Sequence, residues 1–313
     1  MLASDGGRML GVFAVFCRGG LRLLKTKKRG LVSMRMTRTF GRALLVGGLL
    51  ALFAGAAFAS PLDAFKDLKG TLDIAGGTAH IPVMKQAAQN IMEAWPEIRI
   101  TVAGGGSGVG VKQVGEGLVG IGNTGRPLKE NEVADYGLKT FPFAIDGVAV
   151  VVNPANSLKE LTSAQVADIY SGKITDWKEL GQEAGAINVY GREDGSGTRE
   201  TFTDKVLGKV ELAPSINVVN SNGAMKTAVA QDKRAIGYVG IGHLEPSLSA
   251  VTIDGMSPSQ ENAADGSYKV VRNLFMNTKG EPEGLVAAFI DYIYSPDGAE
   301  IIKASGYIPL PRK

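Results

Sequence analysis

The residues of this chain best suited to chemistry stand together in Gly191–Phe202, read GREDGSGTRETF. Arg192 supplies a planar, permanently charged fork that meets an oxyanion edge to edge. A few residues on, Gly195, Ser196, Gly197 and Thr198 form a glycine and hydroxyl turn. Thr198–Leu207 then spaces Phe202, Val206 and Leu207 on one helical face and stops at Gly208. A glycine-rich turn at a helix start suits an anion. Its free N–H groups and the positive end of the helix dipole point the same way.

The same chemistry recurs. Gly76-Gly77-Thr78 follows an apolar run at Thr71–Ala75, and Gly104–Gly108 (GGGSG, with Ser107) follows Ile98–Ala103. Asn123–Pro127 and Asn220–Gly223 are further turns of this kind. None is followed by the lysine of a nucleotide-binding phosphate loop, and none has dinucleotide-loop spacing. Many neutral N–H and O–H donors around one arginine suit a small, dehydrated oxyanion. A hydrolase would need a base or a metal to activate a hydroxyl. The turns offer no histidine pair and no aspartate cluster. His80 and His243 lack a third ligand for a metal. His80, at a helix start, is expected to face solvent.

These turns need elements to hold them. Strand, turn and helix alternate along the chain, which predicts a mostly parallel α/β sheet with ligands at the carboxyl ends of its strands. Helices are expected over Ile81–Trp95, from Thr162 to about Tyr170, over Pro282–Tyr294 and over Pro296–Ala304. Thr162 and Gln165 have the spacing of a capping box. Phe141–Asn153 is a continuous apolar run broken by Asp146, as in a strand covered on both faces. Tyr268–Asn277 is a further strand.

The formal net charge of +3 over 313 residues mixes two regions. Residues 1–59 hold ten of the 34 lysines and arginines and one of the 31 acids, so 60–313 carries 24 against 30, a net of −6. An acidic body argues against nucleic acid as a partner. Met36–Arg42 is basic, Ala43–Phe58 is apolar, and Ala57-Phe58-Ala59 fits a small-x-small cleavage site. The expectation is a secreted, periplasmic protein that starts near Ser60. A membrane anchor is the alternative, but the apolar core is short for a span of about 20 residues. Residues 1–33 are unusual ahead of a signal peptide, and a start at Met34 or Met36 is expected. The only cysteine, Cys17, lies in that preface, so the mature chain is expected to fold without a disulfide.

With these motifs in hand, the chain resembles the substrate-binding proteins of phosphate ABC transporters, a branch of the type II periplasmic-binding-protein superfamily. The resemblance rests on GGT at Gly76–Thr78, GGGSGVGVKQV at Gly104–Val114 and RPLKENE at Arg126–Glu132. It continues in LTSAQVADIYSGKITDWKELG at Leu161–Gly181, REDGSGTRETF at Arg192–Phe202, AIGYVG at Ala235–Gly240 and SGYIPL at Ser305–Leu310. It spans nearly all of 70–310.

The resemblance implies an α/β fold of two lobes, with the ligand cleft between them. Lobe one would be 60–150 plus 245–313, and lobe two 151–244, after an extension and signal peptide at 1–59. It implies inorganic phosphate as ligand, a membrane permease as partner, a monomer, no cofactor, no metal and no catalysis. By motif, the ligand residues would be Thr78, Ser107, Gly108, Arg192, Ser196, Gly197 and Thr198, with Asp194 orienting Arg192. Thr124 is a supporting candidate. Arg126 is either a second cationic contact or a surface residue. Many family members carry Ser or Asp where this chain has Gly125. Asp146 is the candidate to replace that acceptor; the alternative is a strand carboxylate bonded to backbone N–H groups. Another oxyanion, such as sulfate or molybdate, is the rival ligand. A secreted phosphatase is the more distant rival function.

Overall fold

The computed structural model describes residues 60–208 and 210–312. The expected targeting signal before Ser60, and Cys17, lie outside the described residues. In chain order come β1 (Gly70–Gly76), α1 (Ile81–Ala94), β2 (Ile98–Gly105), α2 (Gly106–Gly115), β3 (Ile121–Thr124), α3 (Glu130–Tyr136) and β4 (Leu138–Val152). Then follow β5 (Glu160–Leu161), α4 (Ser163–Tyr170), β6 (Asn188–Arg192), α5 (Gly197–Phe202), β7 (Asn217–Val219), α6 (Asn222–Gln231) and β8 (Ala235–Gly240). The chain ends with β9 (Ser249–Ala250), β10 (Thr252–Ile253), α7 (Gln260–Ala264), β11 (Val271–Lys279), α8 (Gly284–Tyr294), α9 (Pro296–Ala304) and β12 (Ile308–Pro309).

The helices form where their ends are capped and one face is apolar. α1 takes Pro82 in its first turn and buries Val83, Met84, Ala87, Ala88 and Ile91. Each large aliphatic side chain so buried contributes about 1.5–3 kcal/mol. α4 has the capping box read from the sequence. Gln165 N–H donates to Thr162 Oγ1 at 3.1 Å, and Thr162 N–H donates to Gln165 Oε1 at 2.8 Å. α5 continues as a π turn over Thr203–Leu207, which ends at Gly208 with φ 64°.

The strands run β2-β1-β3-β11-β4-β8-β6-β7. β4 is the seam. Its first part, Leu138–Gly147, pairs antiparallel with β11, and Val148–Val152 pairs antiparallel with β8. Two separate cores grow on either side. One gathers Leu72, Ile74, Met84, Phe143, Leu274, Met276 and Phe289. The other gathers Val148–Val152, Tyr170, Trp177, Phe202, Ile236 and Tyr238. The fold is therefore two-lobed, with β4 common to both lobes.

Two expectations change. The sheet is mixed rather than mostly parallel. The parallel units, β1 with β2 and β3, and β6 with β7 and β8, flank a centre that is antiparallel because β4 runs through both lobes. The return to lobe one also comes later than residue 245. Leu248, Val251, Ile253, Ala263, Tyr268 and Val270 pack into the second core. β9 pairs with the end of β4 and β10 with β5, and both pairings hold this segment in lobe two. β11 carries the chain back. No helix among the described residues is long and apolar enough to cross a membrane.

Candidate anion site

A small cavity lies where the two lobes meet. Lobe one gives it Gly77, Thr78, Ala79, His80, Gly106, Ser107, Gly125 and Arg272; lobe two gives Arg192, Ser196, Gly197 and Thr198. The empty space, counted out to open solvent, is about 180 Å³. The walls suit a small ion. Three turns are brought together here from opposite lobes: the entry to α1, the start of α2 and the start of α5. Gly106 permits the approach. Its φ is 84°, and a Cβ there would stand 3.0 Å from the Gly195 carbonyl oxygen of the other lobe.

Arg192 closes β6 and is only 1% exposed. Its Nε and Nη2 donate to the Glu193 carboxylate at 2.9 and 2.8 Å, and Nε also donates to Val219 O at 3.2 Å. Nη1 is buried and has no partner. Leaving a buried charged donor unpaired costs about 1–3 kcal/mol or more, which an anion in the cavity would offset.

The hydroxyls are aimed by their own acceptor bonds. Ser107 Oγ accepts from Gly125 N–H at 3.0 Å. Ser196 Oγ caps α5 by accepting from Arg199 N–H at 3.2 Å. Thr78 Oγ1 accepts from Asn222 N–H at 3.2 Å and from Asn222 Nδ2 at 3.0 Å, across the cleft. An oxygen that accepts these bonds directs its proton elsewhere, so all three hydroxyls are set up as donors.

Of the residues singled out from the sequence, Thr78, Ser107, Arg192, Ser196, Gly197 and Thr198 line one cavity. Five others do not. Gly108 N–H donates across the cleft to Gly195 O at 3.1 Å, and Gly106 lines the wall in its place. Asp194 does not orient Arg192: it pairs with Arg199 at 2.8 Å, and its side chain is 93% exposed. Glu193, adjacent in sequence and one methylene longer, reaches back to Arg192 instead. Thr124 is buried and donates to Arg126 O at 2.9 Å. Arg126 is neither a surface residue nor a cavity residue. It is buried between Glu132, at 2.6 Å, and Glu200, at 3.0 Å.

Asp146 is not an acceptor in the wall. Its carboxylate takes Nε and Nη2 of Arg272, at 3.0 and 2.8 Å, and the Ile241 N–H at 3.1 Å. Burial pushes this carboxyl above its ordinary range, against the pull of Arg272 and of that N–H. Arg272 is the wall residue that sequence reasoning missed. The available signal was a charge of opposite sign within the apolar stretch of each strand, Asp146 in β4 and Arg272 in β11. His80 is also misplaced by the sequence: it is fully buried and packs on Phe143 with ring centroids 5.6 Å apart. Neither ring nitrogen has a partner, and burial and the Arg272 charge hold its pKa at about 3. Among the described residues, no group of three or more His, Cys, Asp or Glu is placed to hold a metal.

A two-lobed α/β fold with a donor-lined cavity at the lobe junction defines a binding protein for a small anion. The comparisons with known proteins agree. Residues 66–297 match the PBP superfamily domain. The phosphate-binding protein PstS of Bacillus subtilis is 38% identical over 244 residues, 77% of this chain and 81% of that protein. PstS of Pseudomonas aeruginosa is 27% identical, over 79% and 85% of the two chains. Among solved structures, a protein of Clostridium perfringens assigned as a phosphate ABC transporter substrate-binding protein, with bound phosphate, superposes with a TM-score of 0.73. It is 37% identical, and the match covers 77% of this chain and all of that one. This chain belongs to the PBP superfamily and, within it, to the family of the Bacillus PstS protein.

Proposed function

We propose that this protein captures inorganic phosphate in the inter-lobe cavity and delivers it to the membrane permease of an ABC transporter. The observation that carries the proposal is the buried Nη1 of Arg192, unpartnered among the described residues, on a side chain that lines one cavity with the pre-aimed hydroxyls. Arg192, Ser196, Gly197 and Thr198 form one jaw, and Thr78 with Ser107 the other. An anion that engages both jaws favours the closed form by its differential contacts. The protein works outside the cytoplasmic membrane, after removal of a signal peptide near Ala59, as a monomer. It binds no nucleic acid and acts as a binder rather than an enzyme, a reading supported by relatives named as phosphate-binding proteins.

Titration calorimetry of ligand-free protein with phosphate, arsenate, sulfate and molybdate tests this. Phosphate should bind most tightly; absence of phosphate binding would sink the proposal. One observation keeps another oxyanion in view as a second reading: among the described residues, no carboxylate lines the cavity. Sulfate or molybdate binding more tightly than phosphate would decide for that reading.

A further inference from the structure

The cavity contains a second guanidinium that belongs to none of the glycine and hydroxyl turns. Arg272 lies near the start of β11, directly opposite Asp146 in the register with β4. Asp146 Oδ2 takes Nε and Nη2, which fixes the plane of the fork. Nη1 has no hydrogen-bond partner among the described residues, and the side chain forms part of the cavity wall. A Cβ built at Gly125 would stand 2.8 Å from that Nη1 and 3.1 Å from Cζ. A side chain at 125 and the guanidinium compete for one space. Gly125 is glycine for room.

We propose that Arg272 is a second anion-gripping residue, positioned by Asp146 and admitted by Gly125, and that it makes the site prefer dianionic over monoanionic phosphate. This deepens, and rests on, the reading of the cavity as a phosphate site. Both arginines can only donate, and the hydroxyls of Thr78, Ser107 and Ser196 already accept N–H bonds. The two nearby carboxylates, Glu193 and Asp146, are turned to the backs of the arginines. Each lost ligand charge weakens two guanidinium contacts, and among the described residues no carboxylate in the wall is present to accept a ligand proton.

The neighbouring titratable groups make a pH test clean. His80 and His243, which feel the Arg272 charge, are held by burial at pKa values of about 3 and about 4. Burial pushes the Tyr307 and Tyr268 hydroxyls upward, so both stay neutral. Acid therefore adds no negative charge to the wall, and a loss of affinity on acidification is assigned to protonation of the ligand.

The test is calorimetry of the ligand-free protein with inorganic phosphate at about pH 8 and about pH 5, values either side of a phosphate second ionisation near 6–7. The wild type should lose affinity about tenfold or more at the acid pH. Arg272→Gln with Asp146→Asn removes both charges of the buried pair together, which protects the fold. It should lower affinity about tenfold or more at pH 8 and leave a shallower pH dependence. Gly125→Ala, read on protein whose thermal unfolding stays cooperative, should also weaken binding. Equal wild-type affinity at the two pH values would overturn the dianion preference. A folded double variant that binds within about twofold of wild type, while Arg192→Ala loses binding, would remove Arg272 and leave the phosphate site standing. A wild type that binds no phosphate at either pH would overturn both.

Discussion

Arg192 and Arg126 are built alike and are put to opposite uses. Each is nearly buried, at 1% and 8% exposure, and each is gripped in bidentate fashion by one glutamate. They differ in what is left over. Arg126 spends Nη1 on Glu132 and Pro127 O, Nη2 on Glu132, and Nε on Glu200 of the opposite lobe. Every nitrogen is bonded, and two carboxylates face one cation. Arg192 has a single glutamate, and its Nη1 is buried without a partner. A saturated arginine braces the lobes; one with a free buried donor has a bond left to give a ligand, the role proposed for Arg192. Arg272 falls on the Arg192 side, with one carboxylate behind it and, among the described residues, no partner for Nη1.

The largest effect that would break this division is on stability. Asp146 and Arg272 form a buried pair whose side chains are 0% and 5% exposed. Asp146→Ala leaves the guanidinium without its counter-charge and should lower unfolding free energy by about 3–5 kcal/mol, read by denaturant titration. A loss below about 1 kcal/mol would mean that Arg272 does not depend on its carboxylate. Next comes binding. Arg192→Ala should weaken phosphate affinity by about 1.5–3 kcal/mol or more, from the lost charged hydrogen bond. Unchanged affinity by calorimetry would move Arg192 to the brace class.

The grip around Arg192 is legible in the sequence because it is local: cation, capping serine and helix-start threonine lie within seven residues of chain, from Arg192 to Thr198. The alternation of strand and helix, the capping box at Thr162 and the course of α8 and α9 are legible for the same reason. Arg272 and Asp146 are not. They lie 126 residues apart, and only strand register brings them together. Asp194 as the partner of Arg192 is what the resemblance implies, whereas the adjacent Glu193 makes that pair and Asp194 pairs with Arg199. His80 looked solvent-facing at a helix start, but the 3-10 turn Thr78–His80 precedes that helix and turns the ring into the core. The boundary after 244 comes from the resemblance, and the pairings of the two-residue strands β9 and β10 that move it are not visible in the sequence.

His80 sharpens the comparison from the neutral side. Like Arg192 Nη1, its ring nitrogens are buried and unpartnered among the described residues, but the ring is held neutral and packs on Phe143. Its folded pKa of about 3 lies below the usual histidine value, so the unfolded chain takes up the proton first as pH falls. Stability is fully present above about pH 6.5 and declines below it, by about 1.4 kcal/mol per pH unit for this one group. At about pH 5 the loss from His80 should be near 2 kcal/mol. His80→Phe, which keeps an aromatic ring against Phe143, should flatten that slope in denaturant titrations from about pH 7 to about pH 5. An unchanged slope would show that His80 does not need to stay neutral in the folded protein.

The smallest effect tests the brace itself. Glu200→Gln removes the one carboxylate that Arg126 receives from lobe two. Glu200 is 39% exposed at its side chain, so solvent screens the pair and the expected contribution is about 0.2–1 kcal/mol. Arg126 keeps both bonds to Glu132, so the fold should be undisturbed. What weakens is the closed arrangement of the lobes, and with it phosphate affinity, by less than about fivefold. The difference between variant and wild type should shrink further in high salt, because a half-exposed pair is screened and the enclosed Arg192 contact is not. If Glu200→Gln instead cost as much affinity as Arg192→Ala, at every salt concentration, Arg126 would belong to the grip. The rule that a saturated arginine serves only as a brace would then fail in this protein.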